Sequence, residues 1–247
     1  SRIGEIDTAR SGDEIHLALP EVDQRKIDSE WIKLFNETSV EIHSKVLNYL
    51  NSWSEPTVVN EFVSQLPKKS TLFVASSRPI RDIESFATPR ADLETFANRG
   101  LAGIDGNLST IFGISNSFER TYAVIGDLTF LHDLTALLAP PANNLTIFVI
   151  DNNGGGIFST LPQAGVAGFE EMFATPQNQD LEKVIAAFQI SVSKVKSISE
   201  INYEFSQNKT GLHFVIVEVP TRQSMAKNLM ETYARISSAV RIGLNLA

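Results

Sequence analysis

The 247-residue chain contains no cysteine, which excludes disulfides, thiolate catalysis and any cysteine-ligated metal. Its four histidines, His16, His43, His132 and His213, are scattered, and no pair has the spacing of a metal site. No Ser-His-Asp order can be argued around them, and His132 is predicted to face outward. Basic residues are also in deficit, 21 Lys and Arg against 29 Asp and Glu, for a formal net charge of −8. A nucleic-acid surface needs a basic stripe, so no nucleic-acid partner is expected. An anionic substrate would have to be drawn by local Arg or Lys rather than by the overall field. No apolar run approaches the ~20 residues of a membrane span, and no secretory signal is visible. Membrane insertion is therefore not expected, and the cytoplasm is the expected location. Walker and Rossmann glycine fingerprints are missing too, which leaves kinase and dehydrogenase readings without their motif.

What is present is an alternation of short β-branched runs and amphipathic stretches. Ser29–Leu50 carries apolar residues three or four apart and predicts a helix, with a break near Thr38-Ser39. Thr57–Leu66 predicts a second helix, capped by Ser54 with Glu55-Pro56 in its first turn. Strands are predicted at Leu72–Val74, Glu94–Ala97, Tyr122–Ile125, Leu145–Ile150, Val192–Val195 and Leu212–Val219. Helices are predicted at Ile80–Phe86, Asp105–Ser117, 127–138, Leu181–Phe188, Ile198–Phe205 and Ser224–Val240. Such alternation means an α/β fold with a doubly wound parallel sheet. The patch Ile15–Leu19 reads as one further strand, too little to be a domain. On sheets of this kind ligands sit beyond the carboxyl ends of the strands.

Two strand ends carry the most chemistry. After Tyr122–Ile125 comes Gly126-Asp127-Leu128-Thr129, and after Leu145–Ile150 comes Asp151-Asn152-Asn153-Gly154-Gly155-Gly156-Ile157-Phe158. A helix N-terminus suits an anion, but Asp127 would repel phosphate unless a cation lay between them. Mg²⁺ takes about six oxygens in a near-octahedral array and favours few carboxylates plus phosphate oxygens. One Asp, one Asn amide oxygen, one backbone carbonyl, two phosphate oxygens and a water would fill that shell. Taken alone, Asp127 reads first as a helix cap, and Asn152 with the glycine run after the adjacent strand turns the reading to metal; Thr129 could cap the helix or bond a diphosphate. Arg81 and Arg99 each follow a predicted strand on the ligand side, and Arg grips a carboxylate through two parallel hydrogen bonds. Arg78 is read as a surface residue.

Asp127 and Asn152 lie 25 positions apart, and this pair of strand ends resembles the signature of thiamine diphosphate-dependent enzymes. Leu128 stands where that signature has its last glycine, and Asp151 where it often has its first asparagine. Both departures occur in the menaquinone-pathway 2-succinyl-5-enolpyruvyl-6-hydroxy-3-cyclohexene-1-carboxylate synthase family (MenD). The chain is similar to that family at Asn98-Arg99-Gly100 with Gly103-Ile104-Asp105-Gly106, at Gly126–Thr129, and at Gly154–Phe158 with Leu161-Pro162. The resemblance is strong from about Leu72 to Pro162 and looser towards the C-terminus.

The resemblance implies that residues 28–247 are the diphosphate-binding domain and residues 1–27 the end of a preceding central domain. It implies thiamine diphosphate and Mg²⁺ (or Mn²⁺) as cofactors. Cofactor contacts fall on Gly103, Ile104, Asp105, Gly126, Asp127, Leu128, Thr129, Asn152, Gly154, Gly155, Ile157, Phe158 and Leu161. Ile104 would bend the cofactor into a V from beneath, with Ile157, Phe158 and Leu161 as the opposite wall. On a plain structural reading Ile104 is core and the latter three open a helix. Asp127, Asn152 and the Gly154 carbonyl are the implied metal ligands when the glycine run is the anchor, the preferred alignment because Ile157-Phe158 follows it. Anchoring on the paired asparagines gives Asn153 and Gly155 instead. Arg81, Arg99 and Ser77 match positions that contact substrate carboxylates. The implied reaction decarboxylates 2-oxoglutarate and adds the succinyl unit to isochorismate, in a homodimer or homotetramer. The family's pyrimidine-binding domain, with its glutamate, has no counterpart here, so the chain alone is expected to be inactive. Another thiamine diphosphate-dependent 2-oxo acid enzyme, or a non-catalytic phosphate-binding module, are the alternatives.

Overall fold

A computed structural model describes residues 29–50, 53–100, 103–141, 143–207 and 209–243. The strand expected at Ile15–Leu19 and the expected remnant of a preceding domain, 1–27, lie outside the described residues. The chain divides into two compact units, residues 1–39 and 40–247. Of the first, the described part is the opening of helix α1 (Ser29–Tyr49), where the Trp31 and Phe35 rings stack 5.4 Å apart. The expected break at Thr38-Ser39 does not occur, and α1 is one continuous helix.

The second unit is built on six strands: β1 (Thr71–Val74), β2 (Glu94–Phe96), β3 (Arg120–Gly126), β4 (Asn144–Asp151), β5 (Ser191–Val195) and β6 (Leu212–Glu218). They form one sheet in the order β2-β1-β3-β4-β6-β5, with every pairing parallel. Parallel strands need crossovers that cover both faces, so the central strands read as near-continuous apolar runs. Alternate residues go to opposite cores. Ala123, Ile125, Ile147, Val149, Phe214 and Ile216 point into one. Tyr122, Val124, Phe148, Ile150, Val215 and Val217 point into the other.

Around the sheet lie α2 (Glu55–Gln65), α3 (Arg78–Phe86), α4 (Asn107–Ser115), α5 (Asp127–His132), α6 (Leu181–Ala187), α7 (Ile198–Ser206) and α8 (Arg222–Gly243). Ser54 caps α2 as expected, its Oγ accepting from the Thr57 N–H at 3.3 Å. The helix expected over 127–138 is instead two pieces, α5 and a 3₁₀ turn at Leu134–Leu138. The break falls at Asp133, whose carboxylate accepts from the Ser109 N–H and Oγ and so ties the junction to α4. The helix expected from Asp105 begins at Asn107, because the positive φ of Gly106 (64°) turns the chain into it.

Phe148 sits at the centre of one core, with the Phe62 ring edge-on at 4.8 Å and the Phe205 ring stacked at 5.4 Å. Phe148→Ala should therefore cost about 3–5 kcal/mol in urea unfolding. Tyr203→Ala, at a side chain 63% exposed on α7, should change stability by no more than about 0.5 kcal/mol.

Candidate functional site

The carboxyl ends of β1, β2, β3 and β4 open into one cavity of about 470 Å³. Chain order steps outward from β1 to β2 and then back across to β3, so the sheet has a topological switch between β1 and β3. Crevices at such points are where open α/β sheets bind ligands.

Sequence-predicted residues converge here from separate loops. Ser77 comes from the β1–α3 turn and Arg81 from the first turn of α3, and Arg99, Gly103 and Ile104 from the segment after β2. Gly126, Asp127, Leu128 and Thr129 follow β3, and Asn152, Gly154, Gly155, Ile157 and Phe158 follow β4. Three predicted positions are not in the lining. Asp105 is exposed just before α4, and Leu161 is 38% exposed beyond the 3₁₀ turn Gly156–Thr160. Asn153 faces away, its amide exchanging hydrogen bonds with Asn178 at 2.8 and 3.0 Å. Of the two readings of the paired asparagines, only the one through Asn152 puts its side chain on the cavity.

Asp127 is the first residue of α5 and is 6% exposed. It does not cap the helix in the usual way. One carboxylate oxygen accepts from the Leu128 N–H and the other from the Gly154 N–H, each at 2.7 Å, so the side chain bridges the ends of β3 and β4. Burial pushes its pKa up to about 7 against the lowering effect of these two bonds, and the charges of Asp151 and Glu55 add to the rise. Asn152 donates from Nδ2 to Glu55 Oε1 at 2.6 Å, while its Oδ1 is buried with no hydrogen-bond partner. An unsatisfied buried acceptor costs about 1–3 kcal/mol.

These two features fit a cation. No group of three or more His, Asp or Glu suited to a metal exists among the described residues. With the cavity carboxylates Glu55 and Asp82 engaged by Arg78, the protein oxygens on offer are the Asp127 carboxylate, the Asn152 amide oxygen and backbone carbonyls, a hard and incomplete set. Mg²⁺ or Mn²⁺ shared with phosphate oxygens matches that chemistry.

The glycine run serves packing. Gly154 has φ +129°, and a Cβ there would lie 2.3 Å from the Ala174 carbonyl. One on Gly155 would lie 2.5 Å from the Phe173 carbonyl. The close approach is thus to the single π-helical turn Glu170–Ala174, which also receives the Gly155 N–H at the Ala174 carbonyl, 2.7 Å. Arg81 and Arg99 stand exposed at the mouth, and Arg81 donates to the Ser77 carbonyl at 2.8 Å. Ser77 has φ +75° and ψ −132°, a conformation foreign to residues other than glycine.

Arg78 corrects the sequence reading. It is 8% exposed, lies on the cavity wall, pairs with Asp82 and reaches Glu55 Oε2 at 3.6 Å. Glu55 and Asp82 are themselves buried, at 4% and 1% exposure. Burial holds the Asp82 carboxyl well above the usual range, opposed by Arg78 and reinforced by Glu55. Glu55, Arg78 and Asp82 were invisible in the sequence as a cluster. Glu55 read as a first-turn acid, and the amphipathic pattern of α3 does not show that its polar face is inward. Arg78→Ala leaves two buried carboxylates uncompensated and should destabilise the chain by about 3–5 kcal/mol in denaturant unfolding. Replacement of a solvated surface arginine would change it by no more than about 0.5 kcal/mol.

No family model matches the chain. Two curated relatives are 2-succinyl-5-enolpyruvyl-6-hydroxy-3-cyclohexene-1-carboxylate synthases. That of Lysinibacillus sphaericus is 40% identical over 189 residues, 73% of this chain and 32% of the relative. That of Bacillus cytotoxicus is 38% identical over 215 residues, 83% of this chain and 36% of the relative. In fold the chain is similar to a thiamin diphosphate-dependent enzyme from Mycobacterium smegmatis, with TM-score 0.53 and 16% identity, covering 69% of this chain and 32% of that one. It is equally similar to benzoylformate decarboxylase from Polynucleobacter necessarius, with TM-score 0.53 and 17% identity, covering 68% and 33%. By sequence the chain is similar to one part of the 2-succinyl-5-enolpyruvyl-6-hydroxy-3-cyclohexene-1-carboxylate synthases, and it spans about a third of the length of the curated relatives it matches.

Proposed function

We infer that this chain is the diphosphate- and metal-binding part of a thiamine diphosphate-dependent synthase. The whole enzyme would decarboxylate 2-oxoglutarate and join the succinyl unit to isochorismate. The observation that carries this reading is the buried Asp127 carboxylate together with the buried amide oxygen of the partly exposed Asn152, at the ends of adjacent parallel strands. One is a carboxylate that burial disfavours as an anion, and the other is an amide oxygen without a partner. Asp127, Asn152 and the Gly154 carbonyl would hold Mg²⁺ or Mn²⁺, and Thr129 would bond the diphosphate. When bound, thiamine diphosphate supplies the carbanion-stabilising chemistry that a 2-oxo acid needs to lose CO₂.

The chain's own residues bind and orient. Ile104, Ile157 and Phe158 give the cavity apolar walls that exclude water beside the cofactor. Arg81 and Arg99, with the Ser77 hydroxyl, would pair substrate carboxylates at the mouth. Two arginines there favour substrates carrying several carboxylates over the smaller acids of an acetolactate-type reaction. Catalysis needs the protein segments beyond this third of the relatives' length.

Thiamine diphosphate titrated calorimetrically into the chain should bind only when Mg²⁺ is present, and not at all in Asp127→Ala. The affinity should rise with pH through about 7, because the cation must displace the proton that burial holds on Asp127. Metal-independent binding, or wild-type affinity in Asp127→Ala, would overturn the assignment. In the complete enzyme, Arg81→Lys or Arg99→Lys should raise the KM of one substrate about ten- to a hundredfold and spare cofactor binding. Steady-state kinetics unchanged in both variants would return these arginines to the surface.

A further inference from the structure

The geometry points to Glu55 as the residue that decides which way the Asn152 amide faces. We propose that Glu55 is a positioning residue that turns the oxygen, rather than the nitrogen, of Asn152 towards the cation. The proposal rests on the metal-site reading above and adds a residue that touches neither metal nor cofactor.

Three observations meet at this amide. Nδ2 donates to Glu55 Oε1 at 2.6 Å. A carboxylate can accept but not donate, so the face of the amide turned to Glu55 has to be the NH₂. Oδ1 then lies on the other side, and there it is buried without a partner. A flipped Asn152 would set its carbonyl oxygen against the Glu55 carboxylate and aim two N–H donors at the place a cation would take. The second constraint is Gly156, where a Cβ would fall 2.6 Å from Asn152 Nδ2. The amide is therefore held on one side by a hydrogen bond and on another by a missing methyl group.

Glu55 in turn is held from behind. Arg78 Nε stands 3.6 Å from Oε2, and Arg78 is itself paired with Asp82, the more deeply buried of the two carboxylates. The order Asp82, Arg78, Glu55, Asn152 runs from the interior of α3 through the first turn of α2 to the end of β4. Charges alternate along Asp82, Arg78 and Glu55, and the Asn152 amide donates to the last of them. A small amide side chain at the end of a strand would otherwise choose between two near-isosteric orientations.

The test uses the chain as it is, with Mn²⁺ alone as the metal probe, read by electron paramagnetic resonance. The Asn152 side-chain amide is followed in parallel by NMR. In the wild type the Asn152 amide protons should exchange slowly. Glu55→Leu should release them and weaken Mn²⁺ binding about ten- to a hundredfold, the usual effect of losing a residue behind a ligand. Glu55→Gln, whose Oε1 can still accept from Nδ2, should restore both. Gly156→Ala leaves the Glu55–Arg78 pair intact and should weaken Mn²⁺ binding as well, by displacing the amide. Asp127→Ala should abolish Mn²⁺ binding while the Asn152 amide stays protected, which separates the two readings. Rapid amide exchange in the wild type would overturn the positioning role. So would wild-type Mn²⁺ affinity in Glu55→Leu alongside loss in Asp127→Ala. A wild-type chain that binds no Mn²⁺ but keeps its amide protected would sink the metal reading instead.

Discussion

A carboxylate buried at the junction of two parallel strands is the constraint on which the rest of the cavity depends. Asp127 has two backbone N–H donors and, among the described residues, no cationic side chain paired with it, and burial outweighs the donors to bring its pKa to about 7. Two hydrogen bonds of this kind stabilise a carboxylate, but they do not replace the hydration it loses. The bond to Gly154 also fixes where the chain goes after β4. Gly154 and Gly155 are then pressed from the far side against the carbonyls of Phe173 and Ala174, leaving no room for a Cβ. One side chain and one packed turn thus give the glycine loop its path.

Behind that loop the polar wall obeys a different rule. Buried ion pairs are weak devices for stability, because desolvation consumes most of what the attraction returns, but breaking one is costly. Here the arrangement of Glu55, Arg78 and Asp82 joins α2 to α3 below the point where Ser77 takes its left-handed conformation. Such conformations cost of order 1–3 kcal/mol and persist only where the surroundings over-determine them. The Pro79 ring in the first turn of α3 and the paired Arg78 are surroundings of that kind.

The opposite end of the sheet shows what similar polar residue types do when every one of their polar atoms finds a protein partner. His213, buried in β6, meets Ser191 at 2.8 Å and Ser193 at 3.0 Å, with Lys209 and Glu204 beside it. Burial would raise the Glu204 carboxyl, but hydrogen bonds with His213 and Lys209 outweigh it and bring its pKa down to about 2. Every polar atom on this histidine has a partner, and the cluster fastens the edge strand β5 to β6. The contrast is with Asn152, whose amide oxygen has none.

The sequence by itself determined the class of fold, because burial on both faces imposes an apolar run on each central strand and an amphipathic period on each crossover. It also made the convergence of Asp127, Asn152, Arg81 and Arg99 on one cavity predictable, since all four follow strands and the carboxyl ends of parallel strands share one side. Helix interruptions were less legible. The break at Asp133 comes from a carboxylate serving α4, a contact between segments 24 residues apart. The glycine run favoured Asn152 over Asn153 by alignment, but only tertiary structure shows which asparagine faces the cavity, because the two are chemically identical and differ only in which side of the turn they leave. It alone turned Arg78 inward, since an arginine is buried only when partners distant in sequence arrive to match its charge, and Glu55 lies 23 positions away across a helix and a strand.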